Sequence, residues 1–244
     1  MKTLIVIPSR LAATRLPGKP LLKINGLSII SHVFKKAEKA KIGDVLVATE
    51  NQEIVDEVKK NGGEAVLTSN KHNTGTDRIY EALQKTKIPN IDLVMNLQGD
   101  EPLIDVDDIR NLNQLMTNTN SKIGTLASKI LDKKFYDNQS VVKVKTKEEL
   151  NQKNFAEAIY FKRKTLQKDP NTYHHMGIYC YEMETLKDFV SYKQSPNEDK
   201  YKLEQLRALE NKIKINVALA KSHSIGVDTK EDFVAIKKIM EYKM

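Results

Sequence analysis

Leu4-Ile5-Val6-Ile7-Pro8-Ser9-Arg10 decides the fold. Four consecutive branched aliphatics, stopped by a proline and followed by polar residues, describe a strand covered on both faces. Strands of that kind belong to parallel sheets with helices on either side. Working outward, Ser28 to Lys41 sets Ile29, Ile30, Val33, Ala37 and Ala40 on one helical face, with Gly43 as its expected stop. Val45–Ala48 is the second strand. A helix over Glu53–Lys60 follows, carrying Ile54, Val55 and Val58 and ended by Gly62-Gly63. Ala65–Leu67, a helix over Thr76–Lys85 and a buried strand over Leu93–Leu97 continue the alternation. The pattern predicts βαβ units and a mostly parallel sheet in an α/β protein.

Beyond about residue 120 the rhythm changes. Ile123–Ile130, Val141–Val144, Ala158–Phe161 and Gly177–Tyr181 read as strands without long helices between them. Leu203–Leu209 is expected to be helical, Ile213–Ala220 a strand, and Glu231–Met240 the closing helix. A single domain over 1–244, with a smaller antiparallel lobe inserted at about 122–200, accommodates this order.

Composition narrows the class. The 244 residues include 40 Lys+Arg against 32 Asp+Glu, a net charge of +8, with 40% apolar and 30% charged side chains. That balance argues for a globular chain rather than a disordered one. Apolar runs such as Leu4–Ile7 fall far short of the roughly 20 residues that span a bilayer and of a secretory leader core. A cytoplasmic location with no membrane contact is therefore expected. One cysteine, Cys180, excludes an intramolecular disulfide and a cysteine zinc site, and its strand setting suggests a buried structural role. Residues 1–120 are nearly balanced, with 16 basic and 15 acidic side chains, whereas 121–244 carry 24 and 17. No basic cluster interleaved with aromatics accompanies the excess, so a lysine-rich solvated surface is favoured over nucleic-acid binding.

In open parallel sheets ligands bind beyond the carboxyl ends of the strands. After the first strand stand Arg10, Arg15 and Lys19, with Thr14 and the Pro17-Gly18 pair between the cations and Pro20 beyond them. Three cations on a proline-held loop suit a polyphosphate, although neither a Walker A loop nor G-x-G-x-x-G is present. After the fourth strand come Gln98, Gly99, Asp100, Glu101 and Pro102. Carboxylates at a strand end suit Mg²⁺ together with phosphate oxygens; a solvated turn ahead of a helix after Asp105 would use the same residues. Asp228 is a second strand-end acid, equally placed to be the N-cap of the last helix. In His72–Arg78, Thr74 and Gly75 open a helix whose amides favour anionic or carbonyl groups. Arg78 adds a guanidinium there, and Asp77 a carboxylate suited to the helix dipole. Neither H-E-x-x-H nor G-x-S-x-G occurs, and His174 and His175 face opposite ways on a strand.

Taken in order, IPSRLAATRLPGKPL, HNTGTDR, NLQGDEP, HHMGIYCY, SPNEDKYKLEQLR and GVDTKEDF resemble the 3-deoxy-manno-octulosonate cytidylyltransferase (CMP-Kdo synthetase) family, over residues 7 to 233. The resemblance implies a nucleotide-diphospho-sugar-transferase, Rossmann-like fold and a homodimer. The implied reaction joins CMP from CTP to the anomeric hydroxyl of 3-deoxy-D-manno-octulosonate (Kdo), with Mg²⁺ as cofactor, releasing pyrophosphate ahead of lipopolysaccharide assembly. It further implies that Arg10, Arg15 and Lys19 hold the phosphates, that Asp100 and Asp228 ligate Mg²⁺, and that Lys19, Asp100 and Asp228 are the catalytic set. Gln98, Thr74, Gly75 and Arg78 would line the nucleoside, while Arg163, His175, Glu204 and Gln205 would meet the sugar in a lobe that also dimerises. Where the family often shows Tyr-Phe-Ser-Arg and then Pro-Trp, this chain has Tyr160-Phe161-Lys162-Arg163 and no tryptophan. An 8-amino relative of Kdo, a sialic-acid-like substrate and a non-enzymatic basic binding module stand as alternatives.

Overall fold

The computed structural model describes residues 1–12, 15–131, 134–164, 170–222 and 226–242. They fall into two units, 1–110 with 224–244, and 111–223.

In the first unit, β1 (Thr3–Ser9) leads through a short 3-10 turn at Lys19–Leu21 into a hairpin of β2 (Lys23–Ile24) and β3 (Leu27–Ser28). Then come α1 (Ile29–Ala40), β4 (Gly43–Thr49), α2 (Gln52–Lys60), β5 (Ala65–Leu67), α3 (Gly75–Lys85) and β6 (Leu93–Asn96). The four longer strands lie in the order β5-β4-β1-β6, all parallel. Leu4, Ile5, Val6 and Ile7 are fully buried, as an inner parallel strand requires. Because β4 and β5 extend one way from β1 and β6 lies on its other side, the strand order reverses beside β1. A crevice at the carboxyl ends of β1 and β6 follows from that reversal.

The helices start where the sequence offers caps. The Ser28 hydroxyl accepts from Ser31 N at the start of α1, and the Thr74 hydroxyl accepts from Asp77 N at the start of α3. Gly43, expected to stop α1, instead opens β4. The αL residue after the helix is Lys41, and a Cβ on Gly43 would fall 1.8 Å from Thr3 O. Glycine is required there by the approach of neighbouring backbone rather than by a helix end.

α4 (Val106–Thr119) carries the chain into the second unit: β7 (Ile123–Ser128), α5 (Lys134–Asp137), β8 (Lys143–Thr146), β9 (Ala156–Lys162), β10 (Thr172–Glu182), α6 (Met183–Ser191), α7 (Pro196–Tyr201), α8 (Leu206–Glu210) and β11 (Ile215–Leu219). Its strands run β10-β7-β11-β9-β8, and β8 pairs again with β10, closing the sheet on itself. Pairing is antiparallel except between β7 and β11. Sequence reading missed α6 and α7 and started the next helix three residues early. α7 is a Pro-led capping box, in which Ser195 and Glu198 satisfy each other's backbone amides. Glu198 also takes a bidentate ion pair from Arg207, at 2.9 and 2.5 Å, and Arg207 stacks over Phe189. The chain then returns to the first unit for the C-terminal helix, Lys230–Tyr242.

Candidate active site

A cavity of about 330 Å³ opens at the predicted crevice, and all the residues lining it belong to the first unit. Pro8, Ser9 and Arg10 come from the end of β1; Arg15, Lys19 and Pro20 from the loop beyond it. His72 to Gly75 and Arg78 come from the start of α3, Gln98 to Asp100 from the end of β6, and Asp228 from the segment before the C-terminal helix.

The local chain geometry explains how these pieces meet. Gly18 N donates to Leu11 O, and Leu11 N donates to Asn51 Oδ1, which folds the loop back on β4. Gly18 has φ +70°, a left-handed conformation that suits glycine, and it leads into the 3-10 turn that presents Lys19. Ile24, Ile29, Val227 and Ile236 form a buried apolar cluster on which Leu16, Leu22, Leu103 and Phe233 pack. Leu16 and Leu22 flank Lys19, and Val227 precedes Asp228, so burying one cluster sets both loops. Val227 N donates to Asp100 O at 2.9 Å, joining the two acidic segments directly. Gly99 permits the close approach of β6's end to β1, since a Cβ there would lie 3.0 Å from Pro8 O.

Charges from three segments converge. Lys19 Nζ lies 2.6 Å from Asp100 Oδ2 and 3.4 Å from Asp228 Oδ1, and Arg15 reaches Asp228 Oδ2 at 3.0 Å. Both carboxylates thus approach one cationic centre, a donor set that suits a hard divalent ion together with phosphate oxygens. The alternative use of Asp228 as a helix cap is not realised. Thr229 Oγ1 accepts from Asp232 N, and the Asp232 carboxylate accepts from the amides of Asp228 and Thr229. The Asp228 side chain is left to the cluster.

Thr74 and Gly75 line the cavity at the start of α3, with the Thr74 hydroxyl engaged by Asp77. Arg10 and Gln98 line it as well. Thr14 lies outside the described residues. Arg78 lines the cavity, but its guanidinium is buried and donates to Glu50, Thr68 Oγ1 and Ser69 O. Its fork therefore holds the ends of β4 and β5 in place. His72 was not singled out from sequence. Its Nε2 bonds to Glu81, whose carboxylate also takes Lys85 and the Ser69 amide. Those partners outweigh burial and hold Glu81 down at about 2. Ser9 was likewise not nominated, although it stands just beyond the Leu4–Ile7 run, where ligands of parallel sheets bind.

The four residues assigned to a sugar lie in the second unit. His175 is in the middle of β10, with Nε2 3.0 Å from Thr125 Oγ1 and its ring edge-on to Phe161. Burial, with His174 alongside, pushes its imidazole down to about 3, so it is neutral. Arg163 donates to the carbonyls of Gln139, Tyr201 and Lys202. Glu204 and Gln205 precede α8 rather than lying on it, and Gln205 is its N-cap. Arg207, two residues beyond Gln205, is only 1% exposed and is committed to its buried pair with Glu198. Cys180 is buried as expected, and burial pushes its thiol well above the usual range.

Comparisons with known proteins agree with this architecture. A family model described as Cytidylyltransferase matches residues 4–215. A 3-deoxy-manno-octulosonate cytidylyltransferase of Rhodopseudomonas palustris is 43% identical over 243 residues, spanning 99% of this chain and 98% of its own. One of Thermodesulfovibrio yellowstonii is 42% identical over 257 residues, with 98% of each covered. A solved structure of CMP:2-keto-3-deoxy-manno-octonic acid synthetase, complexed with CTP, matches with a TM-score of 0.88 at 34% identity over all of both chains. A 4-diphosphocytidyl-2C-methyl-D-erythritol synthase from Anaerococcus prevotii matches with a TM-score of 0.66 at 14% identity, which is a likeness of fold.

Proposed function

The chain belongs to the 3-deoxy-manno-octulosonate cytidylyltransferase family, and from that premise we propose how its residues transfer CMP from CTP to the anomeric hydroxyl of Kdo. The observation that carries the reading is the convergence of Arg15, Lys19, Asp100 and Asp228 on one cavity at the strand-order reversal.

In-line attack of the sugar's anomeric oxygen on the α-phosphorus needs alignment and charge neutralisation rather than a protein nucleophile. Arg10, Arg15 and Lys19 hold the triphosphate, placing the pyrophosphate leaving group against fixed positive charge. Thr74, Gly75 and Gln98 orient the nucleoside. Asp100 and Asp228 are the residues that would hold Mg²⁺. When bound, the ion adds charge neutralisation on the phosphates and favours the ionised hydroxyl. In the second unit, Gln205 can both donate to and accept from sugar hydroxyls. Neutral His175 offers a hydrogen bond without a charge, Glu204 accepts from hydroxyls, and Arg163 would meet the sugar carboxylate on releasing its carbonyl partners. A homodimer, a cytoplasmic setting and a place ahead of lipopolysaccharide assembly complete the proposal.

The test supplies CTP and Mg²⁺ with Kdo, 8-amino-Kdo and a sialic acid, and follows pyrophosphate. Release with Kdo is expected, with the alternatives slower. Absence of release with all three would remove the reading. Asp100→Asn and Asp228→Asn are each expected to lower turnover by about 100-fold or more while leaving the unfolding midpoint in place, because neither side chain caps a helix. Near-parental turnover in both would remove the two acids from the reaction.

A further inference from the structure

Ser9 carries an observation that the reaction above does not use. It ends β1, lines the cavity, and is 8% exposed. Its Oγ is buried without a hydrogen-bond partner. Thr49, Thr68 and Thr74 are not in that condition. Thr49, opposite Ser9 in the β1–β4 register, accepts from Asn51 N, and Asn51 Oδ1 accepts from Leu11 N. Thr68 is bonded to Arg78, and Thr74 to Asp77. Among the described residues, Thr76, Ser128, Thr172 and Tyr179 also bury a hydroxyl oxygen without a partner. None of those four lines the cavity. Ser9 is the case in which an unsatisfied hydroxyl and a ligand-sized opening coincide.

A buried hydroxyl without a partner carries an uncompensated desolvation cost in the free protein, whereas alanine in its place carries none of that kind. A strand end therefore has no packing reason to carry serine here. A ligand that enters the cavity and offers a polar atom changes that balance, since the hydroxyl can donate and accept.

We propose that Ser9 is a nucleotide-positioning residue, whose hydroxyl is left unpaired in the free protein and hydrogen-bonds the bound CTP. This rests on the reading of the cavity as the CTP site. Ser9 acts with the charged residues rather than in place of them. Arg10, Arg15 and Lys19 supply attraction for the phosphates, and Ser9 supplies a short directional contact from a rigid strand that fixes where the nucleotide stops.

Ser9→Ala gives the test, because a contact to ligand and a contact within the fold move two measurements differently. Thermal unfolding of the free variant is compared with the parent, and CTP and inorganic tripolyphosphate are titrated into both by calorimetry. The expected result is CTP affinity lowered roughly five- to tenfold with a melting temperature unchanged or raised by roughly 2–4 °C. A matching loss for tripolyphosphate assigns the contact to the phosphates; an unchanged tripolyphosphate affinity assigns it to the nucleoside. CTP affinity equal to the parent's overturns the inference. So does a fall in melting temperature alongside the lost affinity, which would make Ser9 a structural residue. If the parent itself binds no CTP, the cavity reading fails first, and that outcome is separate from either result for Ser9.

Discussion

Lys19 bonds to both acids proposed to hold Mg²⁺, and its side chain is 12% exposed. A divalent ion and an ammonium cannot both occupy the space between those carboxylates, so an ion entering there would displace Lys19. At about 4 Å, repulsion between an ammonium and a dication is roughly 2 kcal/mol even at the dielectric of water. Lys19→Met is therefore expected to bind Mn²⁺, without nucleotide, roughly tenfold more tightly than the parent, read by calorimetry or paramagnetic resonance. Its turnover with CTP should nevertheless fall steeply, because the phosphates lose a partner. Lys19→Arg keeps the charge and should keep the parent's metal affinity. Lys60→Met, on the exposed end of α2, controls for the loss of one positive charge elsewhere. Equal Mn²⁺ affinity in Lys19→Met and the parent would show that the lysine and the ion do not compete.

β10 shows the same reasoning for an element. Its eleven residues pair with β7 along one edge and β8 along the other, so most of the strand is buried and His175 is caught inside. The folded imidazole titrates at about 3 instead of 6.5. Between those values the unfolded chain binds a proton that the folded chain does not, so stability falls as pH drops below 6.5. The slope can reach about 1.4 kcal/mol per pH unit. Glu81 also loses stability on acidification, but only below its ordinary value of 4.5 and down toward about 2. Urea midpoints measured between pH 7 and 5 consequently lie above the Glu81 range, and comparison with His175→Gln picks out this histidine. The parent is expected to lose stability across that window, and His175→Gln to lose markedly less. Parallel curves for the two proteins would mean that His175 is already solvated in the folded state.

At the scale of the molecule, what could be read from the sequence followed from local pattern. Leu4–Ile7 announced a parallel core because four adjacent aliphatics cut off by a proline fit a short strand covered on both sides. Arg15, Lys19 and Asp100 could be nominated because each directly follows a strand or lies in the loop beyond one. The fate of Asp228 was not legible, since Thr229 and Asp232, rather than Asp228, make the cap, and only the burial of Val227 shows where the carboxylate goes. Arg78 lines the cavity as expected, but a guanidinium looks alike in sequence whether it is free for a ligand or, as here, buried against Glu50. α7 was missed because its six residues are too few to show a helical period. The whole cavity lining is drawn from the first unit, and the residues proposed for the sugar lie in the second. Amide hydrogen exchange can read that division directly. CTP with Mg²⁺ is expected to slow exchange at residues 9–11, 18–22, 72–78, 98–101 and 227–230, where bound ligand suppresses local opening. Kdo added to that complex is expected to add protection around residues 173–176 and 203–207. Protection by CTP confined to the second unit would contradict the placement of the nucleotide. Kdo protection that leaves β10 and the start of α8 untouched would move the sugar contacts away from His175 and Gln205.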